Sequence, residues 1–294
     1  MASEISHWTT EQLLSWAASD FQSKGMSDAR LAAELLLSRV LGTDRVGLFM
    51  RYDRPVNEAE RKQFRSYVEQ RRAGKPVAYI LGRKEFYSLS FKVDPSVLIP
   101  RPETEILVDE ILDYVRERRM EAVKICDVGT GSGAIAIALK KQLPNASVTG
   151  VDVSREALET ARENAATHSV EIEWIESDLM AGLAGPWDVV AANLPYIPAE
   201  GYEGLPVDIR NYEPRIALDG GRGGLAKIAN LVLQAADKIG SGALFLEIGL
   251  GQRDEVVRLL AESGFRSDRV RSDLAGIPRV IRALRESGEG RGVG

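Results

Sequence analysis

Apolar residues recur at helical spacing through the first quarter of the chain. One such stretch opens at Ser27 and closes at Gly42, and these residue types commonly begin and end helices. Asn57 is followed three residues later by Glu60, the capping-box arrangement that marks another helix start. Short amphipathic helices can bury their apolar faces only against one another. The pattern therefore predicts a small helical bundle over residues 1–75.

The hydrophobic pattern changes to a period of two over residues 76–99. Val77–Leu81 and residues 89–93 favour strands, because this period places alternate side chains on one face. We expect a β-hairpin linker here. Residues 100–105, Pro-Arg-Pro-Glu-Thr-Glu, then predict a helix start, with proline at its beginning and carboxylates in the first turn, where the helix dipole favours negative charge.

From Val123 onward, predicted strands and helices alternate. This alternation favours a mostly parallel sheet with helices on both faces, because parallel strands need crossover connections. The last two predicted strands have no helix between them, so one edge of the sheet should carry an antiparallel strand. The predicted strands are 123–129, 148–153, 170–175, 187–192, 243–248, 265–271 and 278–283.

We place this α/β domain at residues 100–286 and expect a disordered, glycine-rich tail at 287–294. Within the domain, the polar stretch 197–222 predicts a long loop. Loops of that length in compact domains are usually functional or disordered.

The composition narrows the class of protein. The chain has 294 residues, of which 44% are hydrophobic and 28% charged, as is usual for a globular protein. One cysteine, Cys126, and two histidines exclude a disulfide framework, a cysteine-cluster zinc site and a histidine-rich metal centre, so we expect no metal. No apolar run reaches the roughly 18 residues that span a bilayer, and the N-terminus lacks a secretory signal. We therefore expect a cytoplasmic protein with no membrane contact.

The first candidate site is the segment Asp-Val-Gly-Thr-Gly-Ser-Gly at 127–133, after the first predicted parallel strand. Glycines there let the backbone turn tightly and let a ligand approach closely. Asp152 ends the next strand, where a carboxylate can accept hydrogen bonds from both hydroxyls of a ribose. The arrangement predicts a nucleoside-binding site. Gly129, Gly131 and Ala134 also satisfy the relaxed dinucleotide fingerprint. The turn alone therefore does not exclude an enzyme that uses a nicotinamide dinucleotide.

The second candidate site, Asn-Leu-Pro-Tyr at 193–196, ends the fourth predicted strand of the sheet. The side-chain oxygen of Asn193 and the backbone carbonyl of Leu194 can each accept one N–H of a planar NH₂ group. Pro195 makes the turn rigid, and the ring of Tyr196 can stack on a flat substrate. These features favour a methyltransferase that acts on a planar nitrogen, since a dinucleotide site has no need of them.

The chain resembles the protein-(glutamine) methyltransferases that modify peptide chain release factors. This resemblance implies a seven-stranded, mostly parallel, Rossmann-like methyltransferase sheet with an N-terminal helical domain, residues 1–75, that recognises the substrate. The chain departs from the family's usual sequence at Leu194, where the family usually has proline. Because this position would act through its backbone carbonyl, leucine can serve there. The segments that carry the resemblance are 82–89, 98–105, 127–133, 193–196, 212–221 and 246–252.

The resemblance also implies roles for individual residues. S-adenosyl-L-methionine would be the cofactor, a release factor the protein partner, and Asn193, Leu194, Pro195 and Tyr196 the substrate clamp. Residues 100–105 would close over the pocket. The implied cofactor-binding residues are Gly129, Thr130, Gly131, Ser132 and Gly133 for the methionine portion, Asp152 for the ribose, Asp178 and Leu179 for the adenine, and Asn193 beside them.

Two alternatives to glutamine methylation stay open. Asn-Leu-Pro-Tyr also resembles the ribosomal RNA adenine dimethyltransferases, so an adenine-amino methyltransferase for RNA or DNA is the first. The formal net charge of −5 gives no support for direct nucleic-acid binding. The second is a non-catalytic module that binds nucleosides or the ribosome, which a complete substrate clamp disfavours.

Overall fold

The computed structural model describes residues 8–285, which form two compact units. Residues up to 82, together with Val207–Tyr212, form the first unit, and residues 83–206 with those from 213 onward form the second. The predicted disordered tail, 287–294, lies outside the described residues. No helix in the described part of the chain is long and apolar enough to cross a membrane.

The first unit is helical, as its hydrophobic spacing predicts. Its core includes Leu14, Phe21, Leu36 and Phe64, each of which is at most 1% exposed. Its helices are α1 (Thr10–Ser23), α2 (Ala29–Leu41), α3 (Arg45–Phe49), α4 (Glu58–Arg72), α5 (Val77–Leu81) and, from later in the chain, α9 (Val207–Tyr212).

The helix ends test the sequence patterns directly. The capping box of Asn57 and Glu60 is confirmed, since each side chain accepts the other residue's backbone N–H, over 2.9 and 3.0 Å. Gly42 ends α2 in the left-handed conformation, as expected. The predicted start of α2 at Ser27 is wrong, because Asp28 occupies the N-cap and makes no side-chain capping bond.

The prediction of a strand at Val77–Leu81 is also wrong. This segment is the helix α5, which follows Pro76 and ends at Gly82 with φ of 68°. The hairpin lies entirely after it, with β1 at Arg83–Phe86 and β2 at Leu89–Lys92. The hairpin is part of the second unit and buries Phe86 and Phe91 in that unit's core.

The second unit contains a seven-stranded sheet within the described residues. The strands are β3 (Lys124–Val128), β4 (Ser147–Asp152), β5 (Glu173–Glu176), β6 (Trp187–Ala192), β7 (Ile239–Glu247), β8 (Phe265–Ser272) and β9 (Pro278–Arg285). Their order in the sheet is β5-β4-β3-β6-β7-β9-β8. The predicted antiparallel strand is present, but it is β9, which lies between β7 and the edge strand β8 and is antiparallel to both.

Helices surround this sheet, and apolar cores form among them and the strands. Three predictions need revision. β5 begins at Glu173 instead of residue 170, and β7 begins at Ile239 instead of residue 243. The predicted loop 197–222 contains short helical turns in addition to α9. The helices of the unit are α6 (Glu105–Glu117), α7 (Ala134–Gln142), α8 (Arg155–Thr167), α10 (Ala226–Ala236) and α11 (Arg253–Glu262).

Candidate active site

A cavity opens at the carboxyl ends of the parallel strands, where the chain order of the sheet reverses between β3 and β6. Open α/β sheets bind ligands at this position because the connecting segments diverge there. The segments that line the cavity after β3, β4, β5 and β6 are 129–132, 152–154, 177–179 and 193–195. Four segments predicted from the sequence therefore meet in one place.

The glycine-rich turn after β3 is held by backbone and side-chain bonds. The N–H groups of Gly129 and Thr130 both donate to the Val151 carbonyl, over 2.8 and 2.9 Å. Gly129 and Gly131 have φ values of 74° and 53°, which glycine adopts without a Cβ penalty. The turn therefore presents main chain to the cavity.

Asp127 supports this turn from beneath. Its Oδ2 accepts the Thr130 hydroxyl over 2.6 Å and the Ala136 N–H over 3.2 Å. Burial raises the pKa of Asp127 to about 7, and its Oδ1 has no hydrogen-bond partner within residues 8–285. Because Asp127 is fully buried and does not line the cavity, its contacts assign it to shaping the turn.

Asp152 links the turn to the end of β4. Its Oδ2 accepts the Gly131 N–H and its Oδ1 the Ser154 N–H, each over 2.9 Å. Burial raises the pKa of Asp152, while these backbone bonds favour its charged form. Each carboxylate oxygen of Asp152 can accept a further hydrogen bond in addition to the one from the backbone. The pair of oxygens at the cavity wall is suited to a vicinal diol such as that of a ribose.

Of four further predicted cofactor-binding residues, three line the cavity. Asp178 lines the cavity and forms an ion pair with Lys227 over 3.5 Å. Leu179, which has a φ of 56° and is 7% exposed, adds an apolar side chain to the wall. Ser132 lines the cavity, and its carbonyl accepts a bond from buried Asn164 over 2.9 Å. Gly133 lies outside the wall, at the start of α7.

The segment after β6 brings two acceptors to the cavity. Asn193 and Leu194 both line it, and neither Oδ1 of Asn193 nor the Leu194 carbonyl has a hydrogen-bond partner among the described residues 8–285. The Leu194 side chain turns into the core, with 4% exposure, and packs on Gly129, where a Cβ would lie 2.9 Å from Leu194 Cδ2. Leucine at this position therefore leaves its carbonyl available.

Tyr196 fixes the far end of this segment. Its carbonyl accepts a 2.9 Å bond from Nε2 of Gln252, whose Oε1 accepts the Gly249 N–H over 2.8 Å. The backbone at Gly224 approaches so closely that a Cβ there would lie 2.2 Å from the Tyr196 carbonyl oxygen. Burial raises the pKa of Tyr196 to about 12. Tyr196 is outside the cavity wall of this structure, unlike Pro195.

Residues 100–105 lie over one side of the cavity, to which Pro100 and Thr104 contribute. Arg101 forms an ion pair with Glu213, which also accepts the Ile99 N–H over 3.2 Å. Thr104 accepts a hydrogen bond of 3.0 Å from Nδ2 of Asn193. This segment is therefore tied to the substrate clamp as well as to the wall.

The sequence analysis assigns no individual role to three residues that support the site: Asp127, Thr104 and Gln252. Their acidic, hydroxyl and amide side chains are 9% exposed or less, but that signal needs the structure. In the sequence, the only indication was their place inside segments that carry the family resemblance. Ile216, Ala217 and Lys227 also line the cavity and were not anticipated.

The chain is similar in sequence to known proteins over most of its length. The family model described as the PrmC N-terminal domain matches residues 12–82, and the model of the methyltransferase small domain matches residues 103–203. The release factor glutamine methyltransferase of Geobacter sulfurreducens is 41% identical over 276 residues, covering 93% of this chain and 96% of that protein. The enzyme of the same name from Bradyrhizobium diazoefficiens is 39% identical over 271 residues, covering 90% and 91%.

A solved structure shares the fold. The crystal structure of a methyltransferase from Pyrococcus furiosus superimposes with a TM-score of 0.51 at 16% identity, covering 76% of this chain and 98% of that one. At this identity the likeness concerns the fold alone.

Proposed function

The chain belongs to the release factor glutamine methyltransferase family, and we propose that it methylates the side-chain amide nitrogen of the glutamine in the Gly-Gly-Gln loop of class I peptide chain release factors. The observation that carries this proposal is a pair of acceptors at the wall of the cavity, Asn193 Oδ1 and the Leu194 carbonyl, that have no hydrogen-bond partner within residues 8–285. A primary amide has two N–H donors for these two acceptors. Release factors act in the cytoplasm, so we expect the protein there.

The residues of the cavity fit S-adenosyl-L-methionine as the methyl donor. The main chain of 129–132 leaves room for its methionine portion, Asp152 offers two oxygens to its ribose, and Asp178 with Leu179 offers a polar and an apolar contact to its adenine. When bound, this cofactor supplies an electrophilic methyl group on a sulfonium. A carboxylate with spare acceptor capacity at the end of β4 supports a nucleoside ligand in particular.

The clamp compensates for the weak nucleophile. An amide nitrogen is a poor nucleophile because its lone pair is delocalised into the carbonyl. By accepting both N–H groups, Asn193 and Leu194 would hold the nitrogen in place and stabilise the positive charge that develops on it during attack. The rigid carbonyl of Tyr196, held by Gln252, keeps the segment in position as the charge forms.

A strong general base is not needed before methyl transfer. The methylated amide nitrogen is strongly acidic until it loses a proton, so weak acceptors suffice for its release. The cavity wall accordingly contains no histidine or cysteine among the described residues. Cys126 is buried in β3, and burial raises the pKa of its thiol.

The proposal is tested by offering the purified chain a class I release factor, RNA and DNA in parallel, each with radiolabelled S-adenosyl-L-methionine. We expect label in the release factor alone. Label in RNA or DNA would favour the adenine-amino alternative, and cofactor binding without transfer to any substrate would favour a non-catalytic module.

A further inference from the structure

The buried face of α8 carries two polar side chains, Thr160 and Asn164, among apolar ones. Thr160 is 4% exposed and Asn164 is 1% exposed. A buried polar side chain destabilises the fold unless its atoms are hydrogen-bonded, whereas an apolar side chain at the same position has no such requirement. The partners of these two side chains therefore indicate what they contribute.

Asn164 bonds two separate segments with one side-chain amide. Its Oδ1 accepts the backbone N–H of Lys92, the last residue of β2, over 2.7 Å. Its Nδ2 donates to the Lys92 carbonyl over 3.1 Å and to the Ser132 carbonyl over 2.9 Å. Both N–H donors of the amide are therefore used, one toward the hairpin and one toward the glycine-rich turn.

These partners allow only one orientation of the Asn164 amide. The backbone N–H of Lys92 can only donate, and the carbonyls of Lys92 and Ser132 can only accept. The amide oxygen must therefore face the N–H, and the NH₂ group must face the two carbonyls. The reversed amide would place its oxygen beside two carbonyl oxygens. The side chain thus holds the Ser132 carbonyl in a single arrangement.

The glycine-rich turn lies directly against α8 at this point. Gly133 has a φ of 79° and approaches the helix so closely that a Cβ there would lie 3.2 Å from the Cβ of Ala161. Ser132 lines the cavity, and the Gly133 N–H donates to the Thr130 carbonyl over 2.9 Å. A shift of the peptide group between Ser132 and Gly133 would therefore move main chain that faces the ligand.

A second stretch of the cavity wall is attached to the same face of α8. The Thr160 Oγ1 lies 3.3 Å from Oγ of Ser96, which lines the cavity, and donates to Oδ2 of Asp94 over 3.4 Å. Asp94 and Ser96 follow Lys92 almost directly in the chain. The buried polar residues of α8 therefore hold both the segment after β2 and the glycine-rich turn.

We propose that Asn164 is a positioning residue for the methyl donor, which holds the turn at 129–132 in the conformation that binds S-adenosyl-L-methionine by fixing the Ser132 carbonyl. This inference rests on the proposed function, in which the main chain of the turn receives the methionine portion of the cofactor. Asn164 is outside the cavity wall, so it acts on the ligand through the turn.

Calorimetry with S-adenosylhomocysteine tests the inference on two variants of the full chain. Asn164→Leu keeps the approximate size of the side chain and removes all three bonds. Asn164→Ser is too short to bridge the two segments, and it leaves space for water to solvate the freed backbone groups. We expect the dissociation constant to rise about 5- to 50-fold in each variant, the usual effect of losing a buried hydrogen bond. Asn145→Leu, at an exposed asparagine before β4, is the matched control and should bind normally.

Steady-state kinetics separate positioning from a merely structural role. In both Asn164 variants the KM for S-adenosyl-L-methionine should rise with the dissociation constant. The kcat and the KM for release factor should stay within about twofold of the wild type, because the bonds of Asn164 reach the turn and the hairpin rather than the substrate clamp.

A core variant of the same unit controls for lost stability. Ile281→Ala removes buried volume from β9, so its free energy of unfolding should fall while its dissociation constant for S-adenosylhomocysteine stays within about twofold. Normal binding by either folded Asn164 variant, or an equal loss of affinity in Ile281→Ala, would overturn the inference.

A second readout needs neither the cofactor nor methyl transfer. The amide of Gly133 shares a peptide group with the Ser132 carbonyl, so its nitrogen resonance should shift in both Asn164 variants and stay in place in Asn145→Leu. An unshifted resonance in the Asn164 variants would contradict the inference. A wild-type chain that binds S-adenosylhomocysteine and methylates no release factor would refute the proposed function alone, and the calorimetry would still decide the role of Asn164.

Discussion

Asp152 accepts the backbone N–H of Gly131 through Oδ2 over 2.9 Å, which joins the end of β4 to the glycine-rich turn after β3. One carboxylate thus helps to shape the turn and also faces the cavity. Binding of the cofactor and the conformation of the turn that surrounds it are therefore coupled through Asp152.

The first prediction follows from this contact. Asp152→Ala should weaken the binding of S-adenosylhomocysteine by about 1.5–3 kcal/mol, because it removes charge-assisted acceptors for the ribose and one support of the turn. Isothermal calorimetry measures the change. Glu176→Ala, at the exposed end of the neighbouring strand β5, is the control and should bind normally. Normal binding by folded Asp152→Ala would refute the ribose assignment.

Asn193→Ala should separate binding from turnover. The variant keeps the turn and Asp152, so its affinity for S-adenosylhomocysteine should stay close to that of the wild type. Its kcat on release factor should fall on the order of a hundredfold or more, because the lost acceptor works mainly in the transition state. Steady-state kinetics with the protein substrate give the answer. Turnover at the wild-type rate would rule out the clamp.

Glu247→Gln should change how stability depends on pH. Burial raises the pKa of Glu247 from 4.5 to about 7, so the folded protein binds this proton more tightly than the unfolded chain does. The resulting stability is present below pH 4.5 and is lost as the pH rises through about 7. A neutral glutamine avoids the cost of burying the charge. Between about pH 5 and pH 8, the free energy of unfolding of the variant should therefore gain roughly 1–3 kcal/mol relative to the wild type.

Denaturant unfolding at several pH values tests this prediction. Asp127, whose pKa burial also raises to about 7, titrates in both proteins and cancels in the comparison. Parallel stability curves for the two proteins would show that Glu247 does not titrate in this range.

The helical unit provides a further prediction. A release factor is a large folded substrate, whereas the clamp holds one glutamine side chain. The first 82 residues carry 12 Lys/Arg against 10 Asp/Glu in a chain whose net charge is −5, and we expect them to supply additional docking surface. Deleting them should raise the KM for whole release factor markedly and change activity on a short Gly-Gly-Gln peptide much less.

The folded fraction is the necessary control for this deletion. Val207–Tyr212 belongs to the helical unit and contacts it through Tyr212, whose hydroxyl donates to the Ala73 carbonyl over 2.8 Å. Circular dichroism shows how much of fragment 83–294 remains folded. Equal losses on both substrates, in proportion to the unfolded fraction, would contradict docking and leave the chemical assignment intact.

Local patterns were sufficient for much of the fold. The capping box at Asn57 and the presence of an antiparallel strand follow from residue types and from the missing crossover helix, although that strand, β9, lies one position inside the sheet edge. The strand prediction for Val77–Leu81 relied on a period of two, but all five residues are apolar, and such a run fits a strand or a buried helix equally well. Pro76 before it and Gly82 after it are the helix boundary signals that should have decided the matter.

Some residues of the candidate site could be predicted from the sequence and others could not. Asp152 and Asn193 follow predicted strands directly, so the topology alone brings them to one edge of the sheet. Thr104 could not be found in that manner, because its role depends on a hydrogen bond with Asn193, a residue far away in the sequence. Such contacts are set by packing, which a pattern of residue types does not record.

Mapping the methylated atom tests the central claim most directly. A class I release factor is incubated with the chain and S-adenosyl-L-methionine, digested, and sequenced by mass spectrometry, with Asn193→Ala as the parallel reaction. The account predicts one added methyl on the side-chain amide of the glutamine in the Gly-Gly-Gln loop, and far less of it with the variant. Methyl transfer to any other residue, or no transfer by folded protein that binds S-adenosylhomocysteine, would contradict it.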